Sequence, residues 1–237
     1  MKNVPAVGAL LLVVSLSACR ITPALSSLPS DLPAGTEEWA VTGHDIRHAG
    51  APVTFGPYYT PVVRGSGLAS RWALTGRHVG FGRESRSFGF QLERDRTPVL
   101  GAGCGSQLGF VRLQAGGAHV DIGDLRDVPA LACDIWPADA AAGAAPAGAL
   151  TLWHKGADIV GTLDAPGGRI DIASTRQIEG VPMAMGAPVA YRFTRAGRLL
   201  AHVDVLNAGA VRMVAATSDA ERDWIAAAAT ALLMRVD

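Results

Sequence analysis

Short alternating segments separated by tight reversals constrain this chain more than any other feature. Val189, Tyr191 and Phe193 alternate with Ala190, Arg192 and Thr194. Val203 and Val205 alternate with His202 and Asp204, and Val211 and Met213 flank Arg212. Earlier, Phe88, Phe90 and Leu92 alternate with Ser87, Gly89, Gln91 and Glu93. A period of two puts one set of side chains on each face, the mark of a half-buried strand. Turn formers stand between the runs. Gly156-Ala157 joins 149–155 to 158–164 as a two-residue hairpin turn, and Pro166-Gly167-Gly168 leads into Ile170 and Ile172. Ala196-Gly197 and Asn207-Ala208-Gly209 make the next two reversals. Connections this short force neighbours to be antiparallel. No βαβ rhythm occurs, which argues against parallel-sheet architectures. A membrane-spanning barrel needs an unbroken apolar outer face. Here one face carries Arg192, His202, Asp204 and Arg212. The expected fold is mainly β: an antiparallel β-sandwich or small barrel built from hairpins, with one C-terminal α-helix.

That helix is read from its start signal. Ser218-Asp219-Ala220-Glu221 fits a capping box, with Ser218 at the N-cap and Glu221 at N3. Asp219, Glu221 and Asp223 suit the positive end of the helix dipole, and Arg235 the other. Ile225, Ala228, Ala229, Leu232 and Leu233 make one apolar stripe, expected to pack on the sheet or across its edge. The alternative is a partner-binding helix. With 237 residues, 49% of them hydrophobic, the chain can fill a sizeable core, and its net charge of +0 excludes a basic nucleic-acid binder.

The N-terminus carries a different signal. Lys2 precedes an apolar stretch from Val4 to Val14 that is too short to span a bilayer comfortably. Leu16-Ser17-Ala18-Cys19 follows directly and resembles the lipobox of bacterial lipoproteins. The resemblance implies cleavage after a signal peptide of residues 1–18. It also implies a thioether-linked diacylglycerol on Cys19 and a further acyl chain, such as palmitate, on its amine. Two or more chains give stable membrane anchoring, where one gives only marginal binding. Arg20 stands where an inner-membrane retention signal often has Asp, so the resemblance favours the outer membrane, on its periplasmic or surface side. Residues 20–36, with Pro23, Pro29 and Pro33, read as a semi-extended tether. At about 3 Å per residue it would reach about 50 Å. The alternative is a packed N-terminal arm. Residues 19–36 are thus the lipidated start and tether, and 37–237 the β-rich domain. The low-complexity stretch 137–149 is either a division within it or a long surface loop.

Once Cys19 is set aside, Cys104 and Cys133 remain. In an oxidising compartment two leftover cysteines most simply pair, the alternative being two buried thiols. Gly101-Ala102-Gly103-Cys104-Gly105 reads as a bend or bulge near that bond, since no helix follows to make a phosphate cradle.

Chemistry is harder to find. His44 and His48 share a helical spacing, but the surrounding Gly43, Ala49-Gly50-Ala51-Pro52 argue for a loop, and no third ligand follows. No metal or other cofactor is expected. His119, His154 and His202 read as surface or half-buried strand residues. Asp121, Asp124 and Asp127 surround a turn-like segment and read as solvated. No G-x-S-x-G elbow occurs, and Ser66, between Gly65 and Gly67, reads as a flexible loop, so no catalytic residue is assigned. Phe55-Gly56-Pro57-Tyr58-Tyr59, followed by Arg64, gathers aromatics beside turn formers. Phe55, Tyr58, Tyr59 and Arg64 make a candidate binding patch for an envelope protein, glycan or lipid; the alternative turns Phe55 and one Tyr into the core. With the alternating strand Phe88 to Leu92 and the later Cys104, the F-G-P-Y segment resembles a group of bacterial lipoproteins, a resemblance that transfers no activity and no functional residue. The expectation is a membrane-anchored envelope lipoprotein with a non-enzymatic binding or structural role. Its rivals are an envelope hydrolase whose site leaves no linear motif, and a carrier of an apolar ligand in a barrel mouth.

Overall fold

The computed structural model describes residues 26–43, 52–61, 63–75, 79–115, 118–123 and 129–235, with side chains omitted for 63–84 and 107–123. It contains the strands β1 (Glu37–Ala40), β2 (Thr54–Phe55), β3 (Tyr58–Tyr59), β4 (Val63–Thr75), β5 (Val79–Arg94), β6 (Thr97–Ala115) and β7 (Ala118–Gly123). There follow β8 (Leu131–Pro137), β9 (Gly148–Lys155), β10 (Asp158–Ala165), β11 (Gly168–Thr175), β12 (Ala190–Arg195), β13 (Arg198–Asp204), β14 (Ala210–Met213) and the helix α1 (Asp219–Met234).

Twelve strands form one antiparallel path, β1-β14-β13-β12-β11-β10-β9-β8-β6-β5-β3-β2. Its two ends meet. Just past β1, Thr42 exchanges both backbone hydrogen bonds with Thr54 of β2, at 2.9 and 3.0 Å. This bridge makes the sheet of the described residues a nearly closed barrel, the second of the two expected architectures. β4 pairs with β5 and β7 with β6 off the main path. β8 covers β6 only over Leu100–Gly105, whereas β5 and β6 stay paired out to Val79 and Leu113. The long strands therefore run on past the end of β8.

The hairpin reading holds closely. β9 and β10 turn at Gly156-Ala157, and β12 and β13 at Ala196-Gly197, where both residues take positive φ (48° and 77°), as a type I′ turn requires. The 138–147 segment is the connection between β8 and β9, which pair directly, and one hydrophobic cluster runs through both halves of the chain. Phe90 and Leu92, and Tyr191 and Phe193, alternate inward as read, and Leu150 and Leu152, Ile170 and Ile172 do the same.

The helix departs from its expectation. Ser218 caps it as read, its Oγ accepting from the Glu221 amide. But ten consecutive residues, Trp224 to Leu233, are buried, so no face is left to solvent along that stretch. A helix buried all round lies inside a core, not on its surface. Its contacts encircle it. Near its N-terminus Asp223 meets Tyr58 of β3 and Arg94 of β5, Glu221 meets Arg195 of β12, and Arg222 meets Glu37 of β1. At its far end Arg235 donates to the Tyr191 hydroxyl of β12 at 3.0 Å. α1 thus threads the barrel from the rim of the 95–96 and 196–197 turns to the rim of the 156–157 turn. This corrects the expectation of a helix lying on the sheet or across its edge. The Ala226–Ala229 run, all fully buried, explains how it fits, because a helix with methyl side chains is thin enough to pass between facing walls.

Two local readings are also corrected. The glycine-rich stretch around Cys104 is neither bend nor bulge: Gly101 to Gly105 pair with successive residues of β8 without a shift in register. A Cβ on Gly103 would stand 3.6 Å from the Trp136 ring, an ordinary contact, so the indole lies over this position without requiring glycine there. Ser66 belongs to β4, at a register shift between Ser66 and Ser70, and not to a loop. Cys104 and Cys133 are paired residues on β6 and β8 and form the expected disulfide across a separation of 29 residues.

The F-G-P-Y segment is a two-residue turn between β2 and β3. Gly56 has φ of 51°, and a Cβ there would stand 2.4 Å from the Trp39 ring. Backbone conformation and close approach both require glycine. Urea denaturation of Gly56→Ala will show a loss of about 1–3 kcal/mol. Gly186→Ala, with nothing near the added methyl and no positive φ, will stay within about 0.5 kcal/mol of the parent. Removing the disulfide with Cys104→Ala and Cys133→Ala together will cost about 3–4 kcal/mol in the same assay, as the loop it closes predicts.

Candidate functional site

Two polar clusters bear on function. The first rings the N-terminal end of α1. The Tyr58 hydroxyl donates to Asp223 at 3.0 Å, and Arg94 reaches the same carboxylate at 3.1 Å. Burial raises the Asp223 pKa above the usual carboxylate range, while the hydroxyl and Arg94 pull the other way. Burial, reinforced by the Asp223 charge, raises that of Tyr58. Arg222 bonds Glu37 at 2.7 Å and the Thr217 carbonyl at 3.1 Å, and its guanidinium lies 6.0 Å from the Trp39 ring centroid. Apart from the local bond to Thr217, these contacts join the helix to the wall. They fasten the plug; they do not frame an opening.

The second cluster lies on the outer wall of the neighbouring strands. Register places Arg192 of β12, His202 of β13, Arg212 of β14 and Glu38 of β1 side by side in one row. Arg212 is held by Glu38 through two hydrogen bonds of 3.0 and 3.1 Å. Beside this row, Asp204 accepts from the Ser26 amide at 2.9 Å, the Ser26 hydroxyl at 2.8 Å and the Leu206 amide at 2.8 Å. Ser26 also bridges Ile178, and Asp31 binds Arg192. The chain from Ser26 to Thr36 is therefore a packed arm across this wall, and the expected tether is docked from Ser26 onwards. That arm covers Asp204, which is buried although it faces outward; His202 and Arg212 are buried in the row beside it.

Ser26, His202 and Asp204 are the residue types of a hydrolytic triad, but their geometry is different. The serine hydroxyl bonds the aspartate directly, and neither imidazole nitrogen has a hydrogen-bond partner. All three are buried, so no substrate reaches the hydroxyl. The arrangement is a clamp on the arm.

The candidate patch divides. Phe55 and Tyr58 face the core, which was the packing alternative, and with Trp39 they form an aromatic cluster with centroids 5.6–6.5 Å apart. An exposed patch through these two is thereby corrected: inward alternation on the β2–β3 hairpin takes them away from solvent. Tyr59 is half-buried, and the Arg64 side chain lies outside the described residues. His154 is half-buried, whereas His202 is fully buried, not the surface or half-buried residue expected. Cys19, His44, His48, Asp124 and Asp127 lie outside the described residues, as do the side chains of His119 and Asp121. Among the described residues no three of His, Cys, Asp and Glu come together as a metal-binding group. Sequence reasoning missed the Ser26–Asp204 clamp, whose partners stand 178 residues apart with no local signal linking them. Comparison with protein-family models, with curated proteins and with solved structures finds no match.

His202 makes the wall pH-sensitive. Burial pushes its pKa down to about 4; the Arg212 charge adds to this, Asp204 opposes it and Arg192 lowers it further. In the unfolded chain the same imidazole titrates near 6.5. The neutral form favoured by the fold therefore contributes fully above about pH 6.5. As the pH falls to about 4 this contribution is withdrawn, a loss of about 3 kcal/mol. Stability measured by urea titration across that range will fall more steeply for the parent chain than for His202→Leu.

Proposed function

We propose that this chain is a lipid-anchored envelope protein whose barrel serves a non-enzymatic binding or structural role at the membrane. The single observation that carries the reading is the filled lumen. α1 occupies the space in which a barrel would hold an apolar ligand, with ten successive buried residues. This weighs against a carrier whose ligand sits inside the barrel. The buried, misdirected Ser26, His202 and Asp204 weigh against a hydrolase built on that cluster. What the fold offers a partner is its outside.

The anchor follows from Leu16-Ser17-Ala18-Cys19. Diacylglycerol on Cys19 together with an amine-linked acyl chain such as palmitate supplies the two signals that stable anchoring needs. Arg20 favours the outer membrane as the destination. Among the described residues no helix is long and apolar enough to cross a membrane. The arm is consistent with an anchored role, since Ser26, seven residues after Cys19, is fastened to the wall by the Asp204 clamp. Pull on the lipid would pass into the barrel at that point.

Labelled fatty acid will enter the parent protein but not Cys19→Ala, and the variant will leave the membrane fraction. A pull-down from envelope membranes with the lipidated protein will enrich a partner that the variant fails to retain. If nothing is enriched and the purified chain turns over model esters or glycans, the binding role is overturned in favour of the hydrolase.

A further inference from the structure

Exposed large hydrophobic side chains are few among the described residues, and they are not scattered. Leu28, Val181, Met183 and Met185 are four of the five, and Met183 is 75% exposed. Three of them stand in the 176–188 connection between β11 and β12; Leu28 stands on the arm. The arm and this connection touch, because Ser26 bridges Ile178 and the Ser27 amide donates to the Gln177 carbonyl. The fifth, Trp153, lies on the outer wall of β9, three residues before Gly156 of the turn at the same rim.

The connection is held in shape by its polar atoms. Arg176 and Met185 bond each other twice, guanidinium to carbonyl at 2.9 Å and amide to carbonyl at 2.8 Å. Gln177 donates through its side-chain amide to the Val181 carbonyl, and Arg176 is fixed to Asp158 of β10 at 3.0 Å. Its backbone is thus tied to the barrel while its apolar side chains face solvent. Methionine and valine presented this way have no partner within the described fold.

Position says what covers them. Ser26 is seven residues from Cys19, a contour of at most about 25 Å. We propose that the 176–188 connection, with Leu28 beside it, is a membrane contact that rests in the lipid–water interface next to the acyl anchor. This rests on the lipid-anchor reading above and deepens it: the anchor brings this rim to the bilayer, and Met183, Met185 and Val181 add a second, non-covalent hold. A short apolar group that enters the interface adds to binding in proportion to the area it buries.

The test uses the mature full chain with Met183 replaced by an environment-sensitive fluorescent amino acid. It is mixed with vesicles of phosphatidylethanolamine and phosphatidylglycerol containing spin-labelled lipid, and its lipidation is scored by incorporated fatty acid. The same fluorophore at Ala141, in the β8–β9 connection at the opposite rim, is the control. The expected result is a blue-shifted emission at 183, quenched at least about twofold by spin labels near the headgroups, with no change at 141. Cys19→Ala, which leaves the membrane fraction at cellular lipid, will keep a weak affinity for vesicles at high lipid concentration, and Met183→Asp with Met185→Asp will lower that affinity about tenfold, with circular dichroism unchanged. A lipidated, vesicle-bound chain whose 183 fluorophore stays aqueous and unquenched overturns the contact and leaves the anchor standing; the surface is then free for a protein. A chain without fatty acid that still binds and is quenched at 183 keeps the contact and removes the anchor. A chain that neither carries lipid nor is quenched overturns both.

Discussion

Twelve antiparallel strands enclose more volume than their own inward side chains fill, and α1 makes up the difference. Everything else in the molecule answers to that arrangement. At the rim the helix changes character, and Asp223, Glu221 and Arg222 take charged and hydroxyl partners from the wall. Those partners come from strands far apart in the wall. The helix therefore ties together elements that the sheet alone connects only around its circumference. Among the described residues the Thr42–Thr54 bridge joins the two ends of the path, and the plug's contacts to β1, β3 and β5 reinforce the same seam.

Strand reading succeeded where a local rule sufficed. Period two identified Phe90, Leu92, Tyr191 and Phe193 as inward, and the turn residues placed the hairpins at Gly156-Ala157 and Ala196-Gly197. The capping box located the start of α1 because a cap is a contact between near neighbours. The circumference of the helix was not legible. Alanine is compatible with a solvated face and with a crowded one, so Ala226, Ala227 and Ala231 gave no sign that they were buried as deeply as Ile225. Only the surrounding wall decides between the two.

The outer wall failed to be legible for a related reason. His202, Asp204 and Arg212 sit at positions that a two-sided strand gives to solvent, and the sequence around them is that of an exposed face. Asp204 is covered by the arm of residues 26–36, far away in sequence, whose prolines read as a tether, and Arg212 is paired with Glu38 of β1, as distant. A proline-rich segment lacks donors for a sheet ladder but loses little entropy when laid on a surface. The aromatic segment shows the opposite case: its two core residues and its turn were both weighed from the sequence, and the packing around Trp39 decided between them.

The order of these parts along the chain bears on how the molecule is made. Among the described elements the plug follows every strand, and the arm that clamps the wall precedes them. Ser26 must find residues 178 and 204, and β1 must find β14, before the barrel is complete. Such high contact order makes for slow folding. Among the described elements, the wall cannot shut before the most C-terminal of them is in place, so closing the sheet and seating the helix are one event.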